Sequence, residues 1–367
     1  MSRRGVDCAA HACNACLRRA WLLGRLSPNL DRVGSRVDSA LALTDAELID
    51  GLAGRAREDV RSEWEAFDHT AARARAKQAD LKAVCRCDAG FPERLRALAS
   101  APHALHVAGS LERFLTLADS DCVAVVGARR ASGYGLEVAR SLGRDLARAG
   151  ITLVSGMAFG IDSAAHSGAL ETDAATIAVL PAGAERAYPA AKRAVHRELV
   201  ARAAVISELP PGTRARRWMF PARNRVIAGL ASATVVVEGT ERSGALLTAR
   251  FARQLARPVG AVPGRVTSAV AAGPNGLLSA GAAVVRNAQD ILDMLFGAGT
   301  REAPLQRGPE LPPELQGIWT AISDGHDTLG LLERVGFAPQ ESLAAIAALE
   351  LVGLIKRTEG GRLVATT

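Results

Sequence analysis

Residues 122–156 read CVAVVGARRASGYGLEVARSLGRDLARAGITLVSG. The run 122-CVAVVG is continuously apolar and closes on a glycine, and 151-ITLVSG repeats the pattern. Between them, 136-LEVARSLGRDLARAG has helical spacing. Apolar runs without alternation mark strands buried on both faces, and such strands separated by helices predict parallel pairing. Outward along the chain, 176-TIAVLPAG, 204-AVISELPPG, 233-ATVVVEG, 258-PVGAVPG and 282-AAVV continue the series, with a further helix in 245-ALLTARFARQLAR. The middle of the chain is therefore expected to be α/β, a doubly wound sheet.

Glycines follow these strands at Gly127, Gly156, Gly160, Gly183, Gly212, Gly239, Gly244 and Gly264. In an open α/β sheet those positions share the carboxyl edge, where ligands bind. Glycine loops let backbone N–H groups approach an anion, often at a helix start such as Ser243-Gly244. Arg129, Arg130 and Arg225 lie among them, so a phosphate-binding crevice is expected. Dinucleotide binding is disfavoured, because the later glycines of 127-GARRASGYG come too late and the next strand does not end in an acid. No phosphate-binding G-x-x-x-x-G-K-[ST] motif occurs. Asp162 and His166 share a helix face and are read as a cap and a local hydrogen-bonding group. Glu208 and Glu238 end strands on the same edge, where they would either work on a nucleotide or hold arginines.

The stretch 214-RARRWMFPARNRVIAGL sets five arginines around Trp218 and Phe220 with no intervening acid. A polyanion carrying flat bases suits that mixture: cations meet the backbone and a ring meets a base. Trp218 is left as either a second platform or an inward-packing side chain. The formal charge of +7 adds little to this, because it is carried almost wholly by arginine in an alanine- and glycine-rich chain.

No apolar run is long enough to span a bilayer, and the basic start MSRRGVDCAAHAC lacks a signal-type apolar segment; a cytoplasmic protein with no membrane association is expected. Of the six cysteines, Cys122 opens a strand and reads as a small buried hydrophobe. Cys8, His11, Cys13, Cys16, Cys85 and Cys87 are zinc candidates by ligand type. With one C-x2-C pair and no second, no metal site is assigned, and no cofactor is expected.

Around the α/β core (101–297) the pattern changes. Residues 1–100 read as a small helical (SAM-like) domain with weak likeness to helix-hairpin-helix modules. It has a helix around Trp21–Leu30, a capping box at Thr44 and Glu47, a charged helix over 55–81, and Gly24 and Gly34 in loops. Residues 298–310 are a linker, and 311–367 read as three helices and a hairpin turning at Glu359-Gly360-Gly361, a winged helix. Its last helix exposes Gln340, Glu341 and Glu350 and has no arginine or lysine for base reading, so the domain is expected to bind a protein, or to touch DNA only through Lys356, Arg357 and Arg362.

These motifs, in order, resemble the DNA-processing protein A family (DprA, also called Smf). The resemblance runs from 104-ALHVAG through 127-GARRASGYG, 154-VSGMAFGIDSAAHSGAL, 176-TIAVLPAG with 188-YP, 207-SELPPG, 219-MFPARNRVIAGL, 236-VVEGTERSGALLTA, 262-VPG and 273-GPNGLLSAGA to 281-GAAVV. Pro181 and Glu185-Arg186 depart from the family pattern. The resemblance implies an extended Rossmann-like core and a homodimeric, non-enzymatic protein. Such a protein would bind single-stranded DNA, protect incoming DNA in natural transformation (competence) and load the RecA recombinase during recombination. Arg129 matches the family's DNA-facing arginine and Phe220 its base-stacking phenylalanine, Arg223 and Arg225 are the arginines of that same motif, and Arg217 stands where some members have lysine. Together with the loop positions, the expected DNA and phosphate contacts are Gly127, Arg129, Ser132, Ser155, Gly156, Arg217, Phe220, Arg223, Asn224, Arg225, Ser243 and Gly244. The alternative is a Rossmann-like enzyme acting on nucleotides, of phosphoribohydrolase type.

Overall fold

In the computed structural model, which describes residues 12–303, 311–358 and 361–365, each of the seven apolar runs becomes a strand. They are β3 (Cys122–Val126), β4 (Thr152–Ser155), β5 (Thr176–Val179), β6 (Ala204–Ser207), β7 (Ala233–Val236), β8 (Val259–Ala261) and β9 (Ala283–Val284). All seven pair in parallel. Two preceding strands, β1 (Leu81–Cys85) and β2 (Ala104–Ala108), add antiparallel to the β6 side, giving the order β1-β2-β6-β5-β4-β3-β7-β8-β9. The sheet is thus mixed and Rossmann-like.

Strand β3 shows why continuous apolarity was needed. Val123 and Val125 face one layer of helices, including Gly133–Arg148 and Ile161–Leu170. Cys122, Ala124 and Val126 face the other layer, including Met219–Leu230 and Ala245–Gln254. The chain runs β3 to β6 towards one edge, then returns across β3 to begin β7. That reversal places a topological switch point between β3 and β7, where the loops leaving the two strands diverge and a crevice opens at their carboxyl ends.

Residues 12–78 are helical. The capping box forms: Thr44 Oγ1 accepts the Glu47 N–H, and the Glu47 carboxylate accepts the Thr44 N–H. The helix expected over 55–81 is broken into Arg57–Glu65 and His69–Gln78, because Asp68 accepts the N–H groups of Thr70 and Ala71 and starts a new helix. Gly24 lies inside the helix Asn14–Arg25 rather than in a loop; Gly34, with φ of 61°, opens the short 3-10 helix Gly34–Arg36 rather than lying in a loop. This region shares one core with the sheet domain: Leu22, Leu26, Leu30, Leu41 and Leu48 pack with Leu209, Trp218, Met219 and Ala222. Residue 100, expected to end the helical domain, falls between two strands paired with each other, β1 and β2. The described residues fall into two compact units, divided after Pro304.

The second unit holds helices Pro313–Ser323, Leu329–Arg334 and Pro339–Leu351, then an antiparallel pair, β10 (Ile355–Arg357) and β11 (Leu363–Ala365). This is the element order of the expected winged helix, with its own core around Ile322, Leu332, Ile346 and Leu349. Glu359 and Gly360, named for the turn, lie outside the described residues. Gln340 and Glu341 are exposed, and Glu350 pairs with Arg357 at 2.8 Å, so that helix offers acids rather than base-reading cations. Among the described residues, no helix is long and apolar enough to cross a membrane.

Candidate nucleic-acid interface

The switch point carries an open cleft of about 230 Å3. Gly127 and Arg129 reach it from the loop after β3, and Ser243, Gly244 and Ala245 from the region after β7. Phe220, Arg223 and Asn224 reach it from the first turns of Met219–Leu230. A second, smaller cleft of about 80 Å3 shares Arg129, Ala158, Phe220 and Arg223, and adds Gly156, Phe159, Pro181, Tyr188 and Pro189. Phe220 is therefore the one aromatic ring among the four residues that line both. The Arg129 guanidinium lies 4.9 Å from its ring centre, and the Tyr188 ring packs obliquely at 5.5 Å. Phe159 and Tyr188 are exposed, and Lys192 Nζ sits 5.5 Å from the Phe159 ring. Rings and cations thus alternate over the carboxyl edge.

Asp162 builds the floor. Its carboxylate accepts the N–H groups of Gly156 and Ala158, folding the loop that leaves β4. Burial pushes this carboxyl up, while the Arg223 charge pulls it back. Arg223 donates to the Val179 carbonyl at 3.0 Å, and its guanidinium presses so closely on Gly156 that a Cβ there would overlap it. Only glycine permits that approach. Gly160, at φ of 75°, then turns the chain into the helix that carries Asp162 and His166. His166 is buried, with Nδ1 2.7 Å from Thr176 Oγ1.

This histidine gives the protein an acid-sensitive element. Burial, helped by the Arg223 charge, pushes it from 6.5 down to about 3. Below pH 6.5 the unfolded chain takes a proton that the folded chain refuses, so stability falls with acidification from there towards pH 3. His106, pushed by burial down to about 4, acts with the same sign. Melting temperature is expected to drop between pH 6.5 and 4, and His166→Gln is expected to flatten that drop. Parallel pH dependence in the two proteins would show the histidine to be irrelevant.

Several residues expected to meet DNA are engaged elsewhere. The Arg225 side chain has 0% exposure and donates to both Glu208 carboxylate oxygens, one at 2.6 Å. It is turned into the protein and lines neither cleft; the expectation of a phosphate contact there is corrected by this ion pair. Ser155 is fully buried and donates to Val125. Ser132 caps the helix Gly133–Arg148 by accepting the Gly135 N–H, and its own N–H and hydroxyl donate to Glu238. Arg217 is exposed but lines neither cleft. Arg216 pairs with Asp31 at 3.4 Å. Trp218 packs inward at 3% exposure, which decides between its two possible roles. Glu208 and Glu238 hold Arg225 and Ser132 instead of forming a carboxylate pair in the cleft.

Phe159, Tyr188 and Lys192 were not among the expected contacts, although Phe159 and Tyr188 lie within motifs that carried the resemblance. Their signal was available: two aromatic residues in loops leaving β4 and β5, on the edge where the glycines gather. The cysteine candidates also come together in part. Cys13, Cys16, Cys85 and Cys87 converge, while Cys8 and His11 lie outside the described residues. Cys122 is buried in the main core, as its place in a strand suggested.

Comparison with known proteins places this geometry among relatives. The family model described as DNA recombination-mediator protein A matches residues 82–296. A putative DNA processing protein DprA of Mycobacterium tuberculosis is 40% identical over 243 residues, 65% of this chain and 62% of that protein. The match therefore spans less than two thirds of that relative's length. Protein Smf of Synechocystis is 31% identical over 309 residues, 75% of this chain and 78% of the relative. Among solved structures, DNA processing protein A of Streptococcus pneumoniae gives a TM-score of 0.62 at 30% identity, covering 76% of this chain and 95% of that one. The Helicobacter pylori protein, solved to study its single-stranded DNA binding mode, gives 0.53 at 27% identity, with 59% and 95% covered.

Proposed function

The chain belongs to the DNA recombination-mediator protein A family, and from that premise we propose that it binds single-stranded DNA at the carboxyl edge of its sheet, without acting as an enzyme. The observation that carries this reading is the position of Phe220. It stands between two clefts with Arg129 over one part of its ring and Tyr188 against another, and it is partly exposed. An exposed ring flanked by cations can stack on a base while the cations hold the neighbouring phosphates. Arg129 is exposed, and Gly127, Ser243 and Gly244 line the cleft beside it.

In this reading the protein coats entering DNA inside the cytoplasm and hands it to the RecA recombinase during transformation, acting as a homodimer. The bound Glu208 and Glu238 favour it over a nucleotide hydrolase, because neither carboxylate is left to act as base or nucleophile in the cleft. The test is titration of one oligonucleotide, single-stranded and duplex, across a range of salt. Single strands are expected to bind more tightly, because duplex bases are already stacked and hidden from Phe220. Affinity is expected to fall linearly in log salt, as phosphate-bound counterions are released. Equal affinity for both forms would refute base stacking as the mode of binding, and release of free base from nucleotides would favour the hydrolase.

A further inference from the structure

We propose that Cys13, Cys16, Cys85 and Cys87 form a closed four-thiolate zinc site that fastens the first helix to the edge of the sheet. The four Sγ atoms lie within 4.8 Å of one another. Cys13 and Cys87 are 3.9 Å apart, and Cys16 and Cys87 3.8 Å. A tetrahedron of sulfurs around zinc at about 2.3 Å has edges of about 3.8 Å. The observed spacings therefore leave room for one ion at the centre, and they are far longer than a sulfur–sulfur bond. All five described cysteines are unbridged.

The two halves come from opposite ends of a long loop of chain. Cys13 precedes the helix Asn14–Arg25 and Cys16 lies in its first turn, so the C-x2-C spacing turns both thiols to one side. Cys85 ends β1 and Cys87 lies in the turn beyond it. That turn is unusually well held. The Asp88 carboxylate accepts the Cys85 N–H at 2.7 Å, the Cys85 carbonyl accepts the Asp88 N–H at 2.8 Å, and the Arg86 N–H donates to His103 at 3.0 Å. The Arg96 guanidinium donates to the Arg86 and Asp88 carbonyls. Across the cluster, the Cys13 N–H points to Cys85 Sγ at 3.4 Å. Such N–H···S and turn hydrogen bonds orient thiolates and soften their charge in metal sites.

Sequence spacing argued against a metal here because the second pair is C-x-C rather than C-x2-C. The turn after β1 removes that objection by bringing Cys87 back over Cys85. Four protein sulfurs fill a tetrahedral shell and leave no open position, which makes the site structural rather than catalytic. Cys16 and Cys85 are buried among Ala12, Leu17, Ala83 and Ala104, a small apolar cluster apart from the main cores. A metal link there adds a strong constraint where little apolar surface is available. Cys87 is exposed, which offers an ion a way in.

The test is metal analysis of untagged full-length protein purified without chelator, followed by competition with a chromogenic zinc chelator. About one zinc per chain is expected, held against the chelator until a mercurial blocks the thiols. Cys87→Ser, at an exposed position outside the packed cluster, is expected to fold and to hold zinc more than about 100-fold more weakly, beyond what losing a supporting hydrogen bond costs. Cys122→Ser is expected to keep the full zinc content. Metal-free folded protein with four reactive thiols would overturn the proposal. So would stoichiometric iron in place of zinc, a disulfide among the four cysteines, or a Cys87→Ser protein that holds zinc as tightly as the parent.

Discussion

Phe220→Ala is expected to bind single-stranded DNA about 5- to 150-fold more weakly, the equivalent of about 1–3 kcal/mol for one base stack. The slope of log affinity against log salt should stay unchanged, since no charge is lost. Arg129→Ala should do the opposite in kind. It removes an exposed cation, so it should flatten that slope by about 0.7 and weaken binding to every sequence alike. Its effect will include some loss of ring positioning, because Arg129 also lies 4.9 Å from the Phe220 ring centre. Fluorescence anisotropy at several salt concentrations separates the two roles. Normal binding by Phe220→Ala would reduce the ring to packing and leave an electrostatic groove.

Glu208→Ala is expected to be the most damaging change in folding terms, at about 3–5 kcal/mol. The reason is the state of its partner: the Arg225 side chain is wholly buried, and its Nε and one terminal nitrogen have no hydrogen-bond partner among the described residues. Taking away the carboxylate would strand a guanidinium inside the protein. Arg225→Ala leaves the less buried Glu208, 11% exposed, and should be milder. The double change Glu208→Leu with Arg225→Met should recover much of the loss, because the desolvation cost disappears with the charges. Urea unfolding of the three variants checks this order. If Arg225→Ala instead kept full stability and flattened the salt slope of DNA binding, Arg225 would be a phosphate ligand after all.

Arg225 also marks how far sequence could be read. Continuous apolar runs announced β3 to β8, because strands buried on both faces have no other pattern to offer; the run at 282–285 also announced β9, an edge strand whose Ala283 and Val284 are exposed. The glycine loops announced the edge on which the clefts lie. The direction of an arginine on a helix was not legible. Arg223 and Arg225 look equivalent in 219-MFPARNRVIAGL, yet one lines the cleft and the other pairs with an acid ending β6. That acid lies 17 residues earlier, across a loop, and its approach to one arginine rather than the other is a product of the fold. Strands β1 and β2 were missed for a related reason. In 81-LKAVC the apolar run is short and interrupted by Lys82, and it continues a charged helical stretch, so local pattern favoured helix until Asp68 capped a new one. The cysteines followed the same logic: ligand type was visible, and convergence of two chain segments was not.

The shared core beneath Trp218 has a consequence for how this chain can change. Leu209, Trp218, Met219 and Ala222 belong to the segment that presents Phe220, yet they fill the space among Leu22, Leu26, Leu30 and Leu48. The two regions therefore pack as a pair. A chimera that exchanged only the N-terminal helices with a distant relative would expose a tryptophan and tilt the base-stacking platform, even though every DNA-facing residue was retained. Exchange becomes permissible only when residues 209–222 travel with their helices, so the unit of substitution here is the joint and not the domain.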